Sequence, residues 1–267
     1  MKDGYETKMI ETEERQQGFS NDELSSFNRN GFVVQRELVP ETYRSAILAV
    51  TKRDADLHFG DIEYEAEVQY PGAPSSLEEE GGRTIRRLRQ AFSRDPVFSQ
   101  LVKESFLLGR LQQLLGPQVV MPLAHHNCVM TKHPHFSSDT GWHQDIRYWS
   151  FQSSQLVNVW IALGHESLSN GCLRLIPGSH RMELSNEQLD EQRFLREDWP
   201  GNSELLNSAE AAELHPGDVL FFHARCFHAA TRNYSEATKY SAVFTFRSLE
   251  NSPLPDTRSA SLPELLL

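Results

Sequence analysis

Three residues able to share one metal ion stand in two separate stretches of this chain. Trp142-His143-Gln144-Asp145 offers an imidazole and a carboxylate two positions apart, and in extended backbone such positions face the same way, so both can reach one ion. Alone the pair decides nothing, because with 11 histidines a shuffled chain of this length holds a His-x-Asp roughly half the time. Further on, Pro216-Gly217-Asp218 turns into Val219-Leu220-Phe221-Phe222-His223, and Cys226-Phe227-His228 follows before the polar turn Thr231-Arg232-Asn233. This region supplies the distant imidazole. His228 is preferred as the third ligand, with His223 as its rival, because the Phe-Phe-His run makes His223 an ordinary strand-end residue. Two imidazoles and one carboxylate on one face of an octahedral ion leave three positions open, which suits iron(II) taking a bidentate co-substrate and then dioxygen. A closed zinc site would need a fourth protein ligand. His125, His126, His133 and His135 precede the pair, but no cysteine or acid accompanies them at ligand spacing, so they read as pocket wall and loop.

The elements that must position these residues change character along the chain. Residues 1–18 form a polar arm with almost no apolar periodicity to bury. Ser20 or Asn21 can cap a short helix through Phe27, Gly31 can end it, and Phe32-Val33-Val34 opens a strand. A second helix starts at Val39-Pro40-Glu41, with Tyr43, Ile47 and Val50 on one face. Residues 60–82 are acidic and turn-rich and read as a lid or loop excursion. A helical region then runs from about Asp95 to Leu115 and stops at Gly116-Pro117. Beyond Val119 short strand-like runs alternate with turn residues: Val119 to Met121, Asn127 to Thr131, Val157 to Leu163, Cys172 to Ile176, Val219 to Phe222 and Tyr240 to Phe246. No βαβ pattern separates them, so the second half reads as an antiparallel sandwich or barrel. A polar, partly helical insertion occupies residues 183–212, and no internal repeat is present.

Composition narrows the function classes. The 267 residues suit one substantial domain with a buried core, placed at 19–267. A net charge of −11 argues against nucleic acid or an anionic membrane surface as partner, since both call for a basic footprint. Cys128, Cys172 and Cys226 are odd in number and lack CxxC spacing, which fits a reducing cytoplasm better than a disulfide framework. No apolar run approaches the length of a membrane span. A monomer or homodimer acting on a small molecule is the expectation.

With these words in place, the stretch from about Met130 to Arg247 resembles the phytanoyl-CoA dioxygenase family of iron(II)/2-oxoglutarate oxygenases. The matching words, in order, are Lys132-x-Pro134, Trp142-His143-Gln144-Asp145, Trp160-Ile161-Ala162-Leu163, Asn170-Gly171-Cys172-Leu173 through Ile176-Pro177-Gly178-Ser179-His180, and Pro216-Gly217-Asp218 leading to His228. The opening helix and strand around Asn21 to Leu38 are similar as well. The resemblance implies a mainly β α+β fold, a double-stranded β-helix (jelly roll) with N-terminal helices packed on it. It implies His143, Asp145 and His228 as iron ligands. It also implies that Lys239 takes the distal carboxylate of 2-oxoglutarate, with Ser241 beside it and Arg247 in reserve. The family's Arg-x-Ser is Lys239-Tyr240-Ser241 here, which keeps a point charge but loses the bidentate fork of arginine. Trp160 matches a position lining the co-substrate pocket, and Arg87 stands near another cationic contact. Arg83, Arg86, Arg87 and Arg89 can attract an anionic substrate, but more readily form a solvated face. Asp145 implies hydroxylation, since halogenating relatives carry a small residue there.

The expected activity is therefore a dioxygenase using iron(II), 2-oxoglutarate and O2 to hydroxylate an unactivated C–H bond of a small organic substrate, releasing succinate and CO2. The alternative is a cupin-type metalloenzyme, an isomerase or dioxygenase, that does not use 2-oxoglutarate. The Lys239-x-Ser241 word weighs against the alternative.

Overall fold

A computed structural model describes residues 18–267; the polar arm expected over 1–18 lies almost wholly outside the described residues. Ser20 caps helix α1 (Asn21–Asn30) in a capping box, its hydroxyl accepting from the Glu23 N–H while the Glu23 carboxylate accepts from the Ser20 N–H at 2.8 Å. Gly31 ends the helix in the left-handed conformation, φ 84°, with its N–H donated to the Phe27 carbonyl. Strand β1 (Phe32–Gln35) and helix α2 (Glu41–Asp56) follow, and Pro40 is the cap of α2 rather than its first residue. The acidic excursion is not structureless. Its start forms β2 (Ile62–Tyr64), which pairs with β3 (Ile85–Arg89) at the edge of a sheet. A short helix, α3 (Ala91–Arg94), precedes the helical region expected as one piece from about Asp95 to Leu115, which is two helices, α4 (Pro96–Leu101) and α5 (Ser105–Leu115). Asp95 explains the first break, since its extended backbone ends α3 and its carboxylate accepts from the Val97 N–H to cap α4.

The remaining strands are β4 (Val119–Pro122), β5 (Asn127–Lys132), β6 (Thr140–His143), β7 (Leu156–Ala162), β8 (Arg174–Leu175), β9 (Glu210–Ala211), β10 (Val219–His223), β11 (His228–Ala230), β12 (Lys239–Ser248) and β13 (Glu264–Leu266), with helix α6 (Ser203–Asn207) inside the 183–212 insertion. They build two antiparallel sheets. The larger has nine strands, ordered β1-β10-β7-β12-β5-β3-β2, with β4 also paired to β12 and β13 to β4; the smaller runs β6-β11-β8-β9. This is the jelly roll, with helices on one outer face.

Both faces of the large sheet are covered, which is why its strands are apolar nearly throughout. On β7, β10 and β12 one set of side chains (Val157, Val159, Ile161, Phe221, Phe244, Phe246) packs against Phe98, Leu101, Leu107 and Leu111 of the helices. The alternate set (Trp160, Leu220, Phe222, Val243) faces Leu173, Leu175 and Ala230 on or beside the small sheet. Polar residues on that inner face, among them Asn158, Lys239, Ser241 and Thr245, are buried. A buried polar group must be hydrogen-bonded or functional.

Gly31 gives a direct test of the turn into β1. An added Cβ there would collide with the His180 ring, whereas at Gly178, φ 73°, the nearest foreign atom is 3.5 Å away. Gly178→Ala should therefore lose only the backbone cost, about 1–3 kcal/mol. Gly31→Ala should lose measurably more in urea unfolding, and equal losses would show that His180 yields freely.

Candidate metal centre

Strand β6 ends on His143 and β11 begins on His228, and the two are register partners across the small sheet. Their rings lie 4.2 Å apart between centroids. Asp145 is not the next outward position of an extended strand, as the sequence spacing suggested. The strand stops at His143, and a 3-10 turn over Asp145–Tyr148 swings the carboxylate back toward the imidazoles. One ligand atom from each of the three residues lies within 4.8 Å of the others, and all three residues are buried. His143 Nε2 is 3.7 Å from Asp145 Oδ1, and His228 Nε2 is 3.8 Å from Oδ2.

The orientation of both rings is fixed from behind. His143 Nδ1 is 2.8 Å from the Gly141 carbonyl and His228 Nδ1 is 3.1 Å from the Cys226 carbonyl. A carbonyl only accepts, so each Nδ1 carries its proton and each Nε2 lone pair is left for a metal. Burial lowers both imidazole pKa values, His143 well below its ordinary range, so both are neutral ligands. Asp145 is held on both oxygens. Asn158 Nδ2 donates to Oδ2 at 2.8 Å, and the Thr245 hydroxyl donates to Asn158 Oδ1 at 2.6 Å. His126 Nε2 lies 3.2 Å from Oδ1. Burial opposes charge on His126, but the adjacent carboxylate outweighs it and raises the pKa to about 9. Burial likewise works against the Asp145 anion, yet His126 and His228 hold it well below the carboxylate range. This donor set, two neutral imidazoles and one carboxylate with the remaining sides open, fits iron(II).

His223 does not join the cluster: its Nε2 faces Gln155 at 3.3 Å and its ring stacks toward His180. His125 packs on Trp149 and Phe151, and burial pushes its pKa down to about 3. His133 lines a separate groove beside Thr131 and Tyr240.

Two cavities meet at the triad. The outer one, about 630 Å³, is lined by His143, Asp145, Glu63, Tyr70, Arg87, Arg89, His125, His126, Asn127, Tyr148 and Arg258. The inner one is bordered by all three triad residues together with Arg86, Arg87, Met130, Lys132, Trp160 and Leu173. Arg87 thus borders both, with Nε 3.2 Å from Glu63. Arg86 is not on a solvated face: it is 3% exposed and bound to Glu65 at 3.1 Å and to the Ser138 hydroxyl at 2.7 Å.

Three of the five residues assigned to the co-substrate by resemblance, Lys239, Ser241 and Trp160, lie together, but around a protein carboxylate. Glu166, fully buried, accepts from Lys239 Nζ at 3.0 Å, from the Ser241 hydroxyl at 2.7 Å and from Trp160 Nε1 at 3.0 Å. Arg247 lies elsewhere, bound to Glu264 at 2.5 Å and to the Ser248 and Leu249 carbonyls. Sequence reading missed Asn158, Thr245 and His126 as supports of the triad. A polar residue inside an apolar strand run was the available signal for Asn158.

A jelly roll carrying two histidines and a carboxylate at its mouth defines the class of non-haem, facial-triad metalloenzymes. The profile described as phytanoyl-CoA dioxygenase (PhyH) matches residues 27–241, and the chain belongs to that family. An ectoine dioxygenase from Halomonas elongata is 24% identical over 263 residues, covering 91% of this chain and 74% of its own. The human peroxisomal phytanoyl-CoA dioxygenase is 25% identical over 249 residues, covering 84% and 67%. Among solved structures, EctD from S. alaskensis with 2-oxoglutarate and 5-hydroxyectoine superposes with a TM-score of 0.75 at 20% identity, over 92% of this chain and 82% of that one. The carbocyclase SnoK from nogalamycin biosynthesis gives 0.70 at 20% identity, over 89% and 87%.

The Glu166 cluster has a measurable cost when broken. Glu166→Ala leaves Lys239 buried without a counter-charge and should destabilise the metal-free protein by about 3–5 kcal/mol in urea unfolding. Glu166→Ala combined with Lys239→Met should recover a large part of that loss, and strict additivity of the two changes would show that the pair is not coupled.

Proposed function

We propose that His143, Asp145 and His228 hold iron(II), that 2-oxoglutarate occupies the inner cavity, and that a small substrate enters the outer one. The enzyme is a non-haem iron(II), 2-oxoglutarate-dependent dioxygenase. The observation that carries the residue assignment is the pair of backbone-fixed imidazoles whose Nε2 atoms converge with the Asp145 carboxylate. Iron(II) with 2-oxoglutarate and O2, when bound, supplies the oxidising chemistry that couples decarboxylation to succinate with insertion of oxygen into a C–H bond.

The protein's own residues supply geometry and exclusion. Thr245 and Asn158 hold the Asp145 carboxylate at a set angle, and such supporting hydrogen bonds are worth 10–100-fold, roughly, in metal affinity. Trp149, packed on His125 and His126, forms part of the wall of the outer cavity beside the triad. That cavity is lined by Glu63, Arg87, Arg89 and Arg258 as well as uncharged polar groups. Charges of both signs favour a compact polar substrate over a long acyl chain. Relatives named for ectoine and for L-proline support the same substrate class. The carboxylate at position 145 fills the place that halogenating relatives leave open, which favours hydroxylation over halogenation. Among the described residues no helix is long and apolar enough to cross a membrane.

Anaerobic addition of 2-oxoglutarate to the iron(II) protein should produce a visible charge-transfer band, and turnover of a panel of polar metabolites should release succinate with a product heavier by one oxygen. His143→Ala and Asp145→Ala should each lose the band and the succinate. Wild-type turnover in either variant would remove the triad from the reaction. Asn158→Ala should keep the fold and weaken iron binding by about tenfold or more; unchanged affinity by metal titration would reduce Asn158 to a packing residue.

A further inference from the structure

The pairing of Lys239 with Glu166 raises the question of which cation receives the distal carboxylate of 2-oxoglutarate. Lys239, Ser241 and Trp160 direct their donors at one internal carboxylate, and none of Lys239, Ser241 or Glu166 borders the inner cavity. A second carboxylate placed on the same ammonium would bring an uncompensated negative charge into a buried site, at high desolvation cost.

A different buried lysine does border that cavity. Lys132 on β5 stands directly opposite Lys239 on β12 and is 7% exposed. An ammonium has three donors, and Lys132 spends one, on the Ser138 carbonyl at 2.9 Å. Its cationic neighbours already have their own acids, Arg86 with Glu65 at 3.1 Å and Lys239 with Glu166 at 3.0 Å. Among the described residues no carboxylate forms an ion pair with Lys132. Burial, Arg86 and Lys239 push its pKa down to about 7, against the opposing pull of Glu65 and Asp139, so an arriving anion would be stabilised by it and would in turn favour its charged form. Room for the lysine is made by Gly171, φ 76°, where an added Cβ would stand 2.9 Å from Lys132 Cδ. Of the other cations on the inner cavity, Arg86 is bound to Glu65, and Arg87 pairs with Glu63 at 3.2 Å with no hydrogen bond at its Nε and also borders the outer cavity, which suits it to the substrate.

We infer that Lys132 receives the distal carboxylate of 2-oxoglutarate, while the Lys239–Glu166–Ser241–Trp160 cluster is a charge-neutral wall behind it. The inference rests on the 2-oxoglutarate dependence proposed above. It makes Lys132 a co-substrate-selecting residue: a 2-oxo acid with the same chelating head and no distal carboxylate should gain nothing from it.

The test is calorimetric binding of 2-oxoglutarate and of 2-oxopentanoate to the anaerobic iron(II) protein. Wild type should prefer 2-oxoglutarate by about 10–100-fold, the value of a charge-assisted contact. Lys132→Met should bring that ratio to about one while leaving 2-oxopentanoate affinity and the iron(II) titration as in wild type, and Lys132→Arg should restore part of it. The neutral double variant Lys239→Met/Glu166→Gln should keep the wild-type preference. Loss of preference in the double variant with retention in Lys132→Met overturns the inference and leaves 2-oxoglutarate dependence standing. Absence of 2-oxoglutarate binding in wild type overturns both.

Discussion

The centre of this protein depends on the pairing of two short strands, β6 and β11, which sets His143 against His228 across one register step. Short strands are weak alone, so this pairing is maintained by what lies on either side of it. Inside, Phe222 packs on the His228 ring at 5.0 Å between centroids. Outside, the 183–212 insertion contributes Leu189 and Leu195 to a cluster with Trp142, Ile176 and Phe227. The insertion is thus the outer cover of the small sheet, and Trp142 and Phe227, each adjacent to a metal-face histidine, are anchored in it.

The second constraint is the double burial of the large sheet. Helices close one face and the small sheet closes the other, so any polar group on the inner face has to be satisfied inside the barrel. Asn158 meets this by linking Thr245 to Asp145, and Glu166 meets it by collecting Lys239, Ser241 and Trp160. One network serves the metal face. The other fills a place in the barrel wall with a closed charge pair.

Much of this was legible from residue order. The six strand runs read from Val119 onward match six of the ten strands observed there, β4, β5, β7, β8, β10 and β12, within one to three residues at most ends, because continuous apolar runs between turn residues have few other uses in a mainly β domain; β6 and β11, which carry the triad histidines, are too short and polar to stand out. The cap at Ser20 and the stop at Gly31 were readable because both depend on one side chain or its absence. Edge strand β2 was not, since its Ile62-Glu63-Tyr64 is short and acidic and owes its strand form to Arg87 and Arg89 on β3. The family words located the triad but gave no sign of Glu166. It lies six residues past Trp160, beyond the end of β7 in an isolated bridge to Leu214, and only the register of β12 against β7, Ser241 opposite Ala162, brings Lys239 and Ser241 over it. Contacts set by tertiary register leave no periodic trace in a single sequence.

The triad also joins parts of the chain that are far apart in order. His143 and Asp145 precede β7, while His228 follows the whole insertion and β10. A metal spanning them closes a long loop, and the entropy of that closure is met only once the small sheet has assembled. On the proposed assignment, an ion held by all three residues would therefore report complete folding: it would bind the finished barrel more tightly than its precursors, and would stabilise the whole domain with the logarithm of its free concentration.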